Sequence, residues 1–162
     1  THCISSAASD VYKRQVRIDG TKSFYYTGGN MYYFRYADAL LMLAECMNET
    51  GNTSGAVTLV NTTVRSRAFG GTVPAQYVWD TGMSAEEFRT KILDERMREL
   101  ACEGWRRMDL VRTGHFEEYV KVRNRWQALA PTIGTQHRLF PVPMVEIKQN
   151  PHLQGDQNPG LN

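Results

Sequence analysis

The run from Ile92 to Arg112, ILDERMRELACEGWRRMDLVR, constrains the fold more than any other stretch of the chain. It is long enough for about five turns of α-helix at roughly 3.6 residues per turn. Leu93, Met97, Leu100, Ala101 and Gly104 recur at three- and four-residue spacings, the period of a buried helical stripe. Most other positions are charged: Asp94, Glu95, Arg96, Arg98, Glu99, Glu103, Arg106, Arg107, Asp109 and Arg112. One long central helix is therefore expected. Along it, Glu95 and Glu99 lie within reach of Arg98, Glu103 of Arg106 and Arg107, and Asp109 of Arg112. These charges read either as a solvated face laced with weak pairs or as a half-buried lattice of Glu95, Arg96, Glu99, Glu103, Arg106, Asp109 and Arg112. Planar guanidinium forks suit repeated pairing with carboxylates. A mid-helix Gly104 costs roughly 1 kcal/mol against alanine and marks close packing, which favours the lattice. Neither reading makes the helix an active site.

Size and composition place the chain among folded single domains. Its 162 residues can bury a core, and 41% hydrophobic with 10% aromatic residues is a folded composition. The net charge of +2 is small and the basic residues are interleaved with acidic ones, which argues against a nucleic-acid partner. No apolar run approaches the roughly 20 residues of a membrane span. Cys46 and Cys102 fall inside helical patterns and read as free, buried thiols, with a Cys46–Cys102 disulfide as the alternative. Cys3 has no context.

Residues 1–15, THCISSAASDVYKRQ, form a polar lead-in resembling translated adapter sequence at a contig edge. It is expected to be non-native or disordered, with residues 16–162 as the folded part. Phe24-Tyr25-Tyr26 and Met31-Tyr32-Tyr33-Phe34 are short extended candidates around Gly28-Gly29-Asn30, and their tyrosines read as packing residues with a wet edge. Arg35 to Asn48 is a helix with Tyr36, Leu40, Leu43, Ala44 and Met47 on its buried stripe. After Gly51-Asn52, a second helix from Ser54 to Ala68 carries Ala56, Val57, Val60 and Val64. The pair fits one tetratricopeptide-like hairpin.

A loop with an exposed-looking Tyr77-Val78-Trp79 follows, and Ser84-x-x-Glu87 is a capping box that opens the central helix. Gly114 ends that helix. His115 to Leu129 is a shorter amphipathic segment containing Trp126. From Leu139 onward the chain holds too much proline for helix and is expected to wrap back. Tyr77, Trp79 and Trp126 are the aromatic candidates for ligand contact.

The order Glu95-Arg96, Glu99-Leu100, Glu103-Gly104, Arg106, Asp109-Leu110, Arg112 and Gly114 resembles the signature helix of the SusD/RagB family. RYADALLMLAE with Val60-Asn61, Val64-Arg65 and Arg67-Ala68 resembles an earlier block of it. Phe140-Pro141-Val142-Pro143 and Gln157-Asn158-Pro159-Gly160 resemble its closing segment, with Leu161 where an aromatic is usual. The resemblance covers roughly Tyr32 to Gly160. It implies a mostly α fold of the α-α superhelix type, with the chain as the C-terminal part of a longer protein. It also implies a surface-exposed outer-membrane lipoprotein of Bacteroidota that captures oligosaccharide or another nutrient for a SusC-like TonB-dependent transporter. A tetratricopeptide-like adaptor for protein partners is the alternative.

No catalytic or metal constellation stands out. His2, His115, His137 and His152 lack ligand-type neighbours, and no nucleophile elbow, Walker loop or dinucleotide fingerprint occurs. Glu95, Glu99 and Glu103 alternate with arginines, an unsuitable setting for a glycosidase acid. No catalytic residue, metal or cofactor is expected.

Overall fold

The computed structural model describes residues 33–123, 132–153, 155 and 157–161. The expectations placed on Thr1 to Tyr32 and on Trp126 lie outside these. The described residues are mostly α-helical and contain no strand. The chain divides into two compact units, Thr1–Arg106 and Arg107–Asn162.

In the first unit, helices α1 (Tyr36–Glu49) and α2 (Thr53–Val60) form an antiparallel hairpin. Thr50 to Asn52 turns the chain, and the Asn52 side chain accepts from the Gly55 N–H at 3.0 Å, satisfying one open donor at the start of α2. Buried Asn48 joins the turn to its surroundings. It accepts from the Thr53 hydroxyl at 2.8 Å and donates to the Ala85 carbonyl at 3.3 Å.

The second arm continues as one wide π turn, Asn61–Arg65, and a last helical turn α3 (Ser66–Ala68). Helix α4 (Ala85–Glu99) packs on both arms. The Ser84 hydroxyl caps it, accepting from the Glu87 N–H at 3.2 Å. The core joins Leu41, Ala44, Ala56, Val57, Val60, Val64, Trp79, Met83, Phe88 and Ile92.

Several expectations are corrected here. The central helix is not continuous: α4 stops at Glu99, and α5 (Trp105–Arg112) begins after a break. Cys102 and Gly104 in that break have φ of 66° and 85°. A Cβ on Gly104 would meet nothing within 4 Å, so glycine serves the left-handed turn there and not close packing.

The buried stripe of α1 is Ala37, Asp38, Leu41, Ala44 and Asn48, one position round from the expected one. Tyr36 and Leu43 face outward, while Leu40 and Met47 border the core. Cys46 and Cys102 are free as expected, but both are exposed.

The second unit holds the rest of α5, helix α6 (Phe116–Arg123) and α7 (Met144–Gln149). Gly114, φ 78°, follows the end of α5 as expected. Helix α7 corrects the expectation of a helix-free tail. Pro141 and Pro143 precede it and Pro151 follows it, and Pro143 stands at the N-cap, where a missing N–H does no harm. The chain end folds onto the Pro-rich strip: the Gln157 amide accepts from the Val142 N–H at 2.8 Å and donates to the Val142 carbonyl at 3.0 Å. Asn158 donates to the Phe140 carbonyl at 2.6 Å. The Arg107 guanidinium lies 5.1 Å from the Phe116 ring centroid and 4.2 Å from that of Phe140.

Candidate functional site

The buried charged residues of α4, Glu95, Arg96 and Glu99, take partners from elsewhere in the chain. Arg96 donates to Asp38 at 2.8 Å, with side chains 3% and 2% exposed. Its Nε stands 3.6 Å from Glu45. Arg65, on the π turn, donates to Glu95 at 2.8 Å and to the Tyr77 carbonyl at 2.6 Å. Its guanidinium carbon also sits 5.0 Å from the Trp79 ring centroid.

Arg35 donates through Nε to both Glu103 oxygens at 2.9 Å and through Nη1 to Glu99 at 3.0 Å. Arg67 pairs with the same Glu99 oxygen. Burial opposes the charge on Arg35, but its hydrogen bonds to Glu103 and Glu99 outweigh that and hold its pKa above the ordinary arginine value.

Among the sequence-named members, Arg106 turns back to α4. It donates to the Leu93 carbonyl at 2.7 Å and stands 3.6 Å from Asp94. Glu95 receives Arg98 at 3.1 Å and Asp109 receives Arg112 at 2.8 Å, both local pairs. Glu103 pairs with Arg35, 68 residues away, and not with the expected local arginines in any bond the geometry shows. Sequence reasoning missed Asp38, Arg35, Arg65 and Arg67, which lie outside the central helix.

These pairs have a mechanical consequence. Asp38, Glu95 and Glu99 each accept from a guanidinium, and these pairs tie the start of α1 and the end of the second arm to α4. A buried ion pair adds little net stability, but losing one partner is costly because a charge is left behind.

The aromatic candidates separate. Tyr77 is 49% exposed and stacks on Phe69 at 5.4 Å and 18°. Trp79 is 8% exposed and meets Phe88 edge-on at 6.0 Å, so its ring is used by the core. Asn61 grips the Trp79 backbone in both directions, at 2.9 and 3.1 Å. A further cluster, unforeseen in the sequence, joins exposed Tyr33 and Phe34 to Trp105, with Phe34 stacked on Trp105 at 5.3 Å and 29°. Among the described residues no group of three His, Cys, Asp or Glu side chains could hold a metal ion, and no helix is long and apolar enough to cross a membrane.

Comparison with known proteins adds the family. The sequence model of the SusD family matches residues 8–161. SusD-like protein P25 of Formosa agariphila is 38% identical over 126 residues, covering 76% of this chain and 23% of that protein. SusD-like protein P38 of the same organism is 35% identical over 131 residues, covering 77% of this chain and 24% of its own. The chain thus spans about a quarter of the length of these curated relatives. No solved structure matches. With the family match running over nearly its whole length, the chain belongs to the SusD family.

Proposed function

We propose that this chain is the C-terminal part, over residues 16–162, of a nutrient-capture protein of the outer membrane. It would hold a glycan or similar ligand for a SusC-like TonB-dependent transporter, as a surface-exposed lipoprotein without catalysis. The observation that carries the reading is the SusD family match over residues 8–161. The geometry supports a scaffold role: the buried acidic side chains of α4 are occupied by arginines, leaving no free pair of carboxylates there to flank a glycosidic bond. Of the three aromatic candidates, Tyr77 presents an exposed ring, and it would add one face to a site that other segments complete.

The test uses the complete reading frame that contains this sequence. Titration calorimetry against polysaccharides of differing linkage should give binding without release of reducing ends, and affinity capture from detergent-solubilised outer membranes should retain a TonB-dependent transporter. Hydrolysis of any bound polysaccharide, lost on Glu99→Gln, would overturn the assignment. So would capture with no transporter and no saccharide binding.

A further inference from the structure

Tyr77 is half exposed, yet its backbone is held on both sides. Its N–H donates to the Pro74 carbonyl at 2.8 Å, and its own carbonyl accepts from Nη2 of buried Arg65 at 2.6 Å. Two residues on, the Asn61 side chain bonds both backbone groups of Trp79. Asn61 and Arg65 are the first and last residues of the π turn, so that one turn fastens the loop at Tyr77 and at Trp79. Phe69, where the loop begins, stacks on the Tyr77 ring at 5.4 Å and 18°. The Arg65 guanidinium carbon lies 5.9 Å from the Phe69 centroid. Serving Glu95 and Tyr77 through its two Nη groups leaves the buried Nε of Arg65 without a hydrogen-bond partner among the described residues. Stability alone disfavours such an arrangement. Surface loops are ordinarily the mobile parts of a fold, and this one is pinned where it presents a ring.

We infer that Arg65 and Phe69 are positioning residues for ligand, holding the Tyr77 ring as a one-sided platform on which the apolar face of a neutral sugar ring stacks. The inference rests on the nutrient-capture reading and adds to it the residues that order the contact. One face of the ring lies on Phe69, and the residue remains 49% exposed. Tyrosine offers a flat apolar surface with a hydroxyl at its edge, which matches the CH face of a pyranose and its surrounding hydroxyls. From Phe69 to Trp79, FGGTVPAQYVW, the loop carries no charged side chain, which favours a neutral ligand over an acidic or basic one. Exposed Gln76 beside it adds an amide donor and acceptor. A side chain fixed before the ligand arrives does not have to be ordered on binding, so affinity is gained without a new contact. Arg65 and Phe69 act through Tyr77.

The test uses the complete reading frame with meta-fluorotyrosine incorporated, and the Tyr77 fluorine resonance is identified by its loss in Tyr77→Phe. Methyl β-glucopyranoside, which has CH groups on both faces of its ring, is titrated in, with glycerol at equal concentration as the control. The Tyr77 resonance should shift saturably with the glucoside and not with glycerol. Phe69→Leu keeps an apolar side chain but no flat ring. Arg65→Lys keeps a cation for Glu95 but no fork to share with the Tyr77 carbonyl, and Glu95 retains Arg98 at 3.1 Å. Each should weaken glucoside binding about two- to tenfold, the cost of ordering one side chain on binding. Thermal melts establish that both variants are folded at the temperature of the titration. A merely structural role predicts lower melting temperatures with unchanged affinity, and that result overturns the inference. So does a Tyr77 resonance that the glucoside leaves unmoved, or that glycerol moves equally, while calorimetry shows polysaccharide bound; the nutrient-capture reading then stands. Absence of any saccharide binding defeats both.

Discussion

Arg35 and Glu99 are joined twice: Nη1 of the arginine donates to the Glu99 carboxylate at 3.0 Å, and Nη2 donates to the Glu99 backbone carbonyl at 2.7 Å. Glu99 is the last residue of α4, so one guanidinium neutralises a buried side chain and also satisfies a carbonyl left open by the helix end. The same cation reaches Glu103 within the break. It thus holds the point where the expected single helix divides.

Arg35→Ala should cost roughly 3–5 kcal/mol, because it leaves Glu99 buried with one partner fewer. Lys91→Ala, which breaks an exposed pair with Glu87, should cost about 0–1 kcal/mol. Urea denaturation of both variants checks the difference. Similar midpoints would place Arg35 among surface pairs.

The hairpin, the Ser84 cap and the Gly114 stop were legible because each is written in a few adjacent residues. The break after Glu99 was not, since the apolar spacing of Leu100, Ala101 and Gly104 continues as though the helix did. The partners of α4 were hidden for a different reason. Asp38, Arg35, Arg65 and Arg67 lie 30 or more residues from their carboxylates or guanidinium, and no local period encodes such pairing. The shifted stripe of α1 has a third cause. Large side chains at Tyr36 and Leu43 suggested the core, whereas the close contact is made by Ala37, Leu41 and Ala44.

The break predicts substitutions of opposite sign. Gly104→Ala puts a Cβ at φ 85° and should destabilise by about 1–2 kcal/mol. Cys102→Gly relieves a non-glycine residue at φ 66° and should stabilise by up to about 1 kcal/mol, less the extra chain freedom it gives the unfolded state. Thermal melts read both; a stabilising Gly104→Ala would mean the two helices prefer to be one.

Trp79→Ala should destabilise by roughly 3–5 kcal/mol, the range for emptying a buried aromatic site. Tyr77→Ala, at a half-exposed ring, should stay within about 1 kcal/mol. Circular dichroism melts separate them. Equal, small losses would remove Trp79 from the core.

Acid should weaken each unit through a surface carboxylate. A hydrogen bond from Arg89 lowers the Glu49 pKa below 4.5, and one from Arg138 does the same for Glu117. A depressed carboxylate pKa contributes stability above the unfolded value, and that contribution is lost as pH falls through the folded one. Melting temperature should therefore fall below about pH 4.5. Glu49→Gln and Glu117→Gln should each flatten part of that fall, and salt should shrink the difference because both groups are exposed. Acid limbs unchanged in both variants would show that these pairs carry no pH dependence.

The most direct test of the lattice is a double-mutant cycle on Arg96 and Asp38, the most deeply buried pair. Asp38→Asn and Arg96→Met are made singly and together, and each unfolding free energy is measured in urea. Each single change should cost roughly 3–5 kcal/mol. The double variant should lose at least about 2 kcal/mol less than the sum of the two, since removing both charges leaves neither stranded. Additivity to within about 0.5 kcal/mol would contradict the account and leave α4 held by its apolar contacts alone.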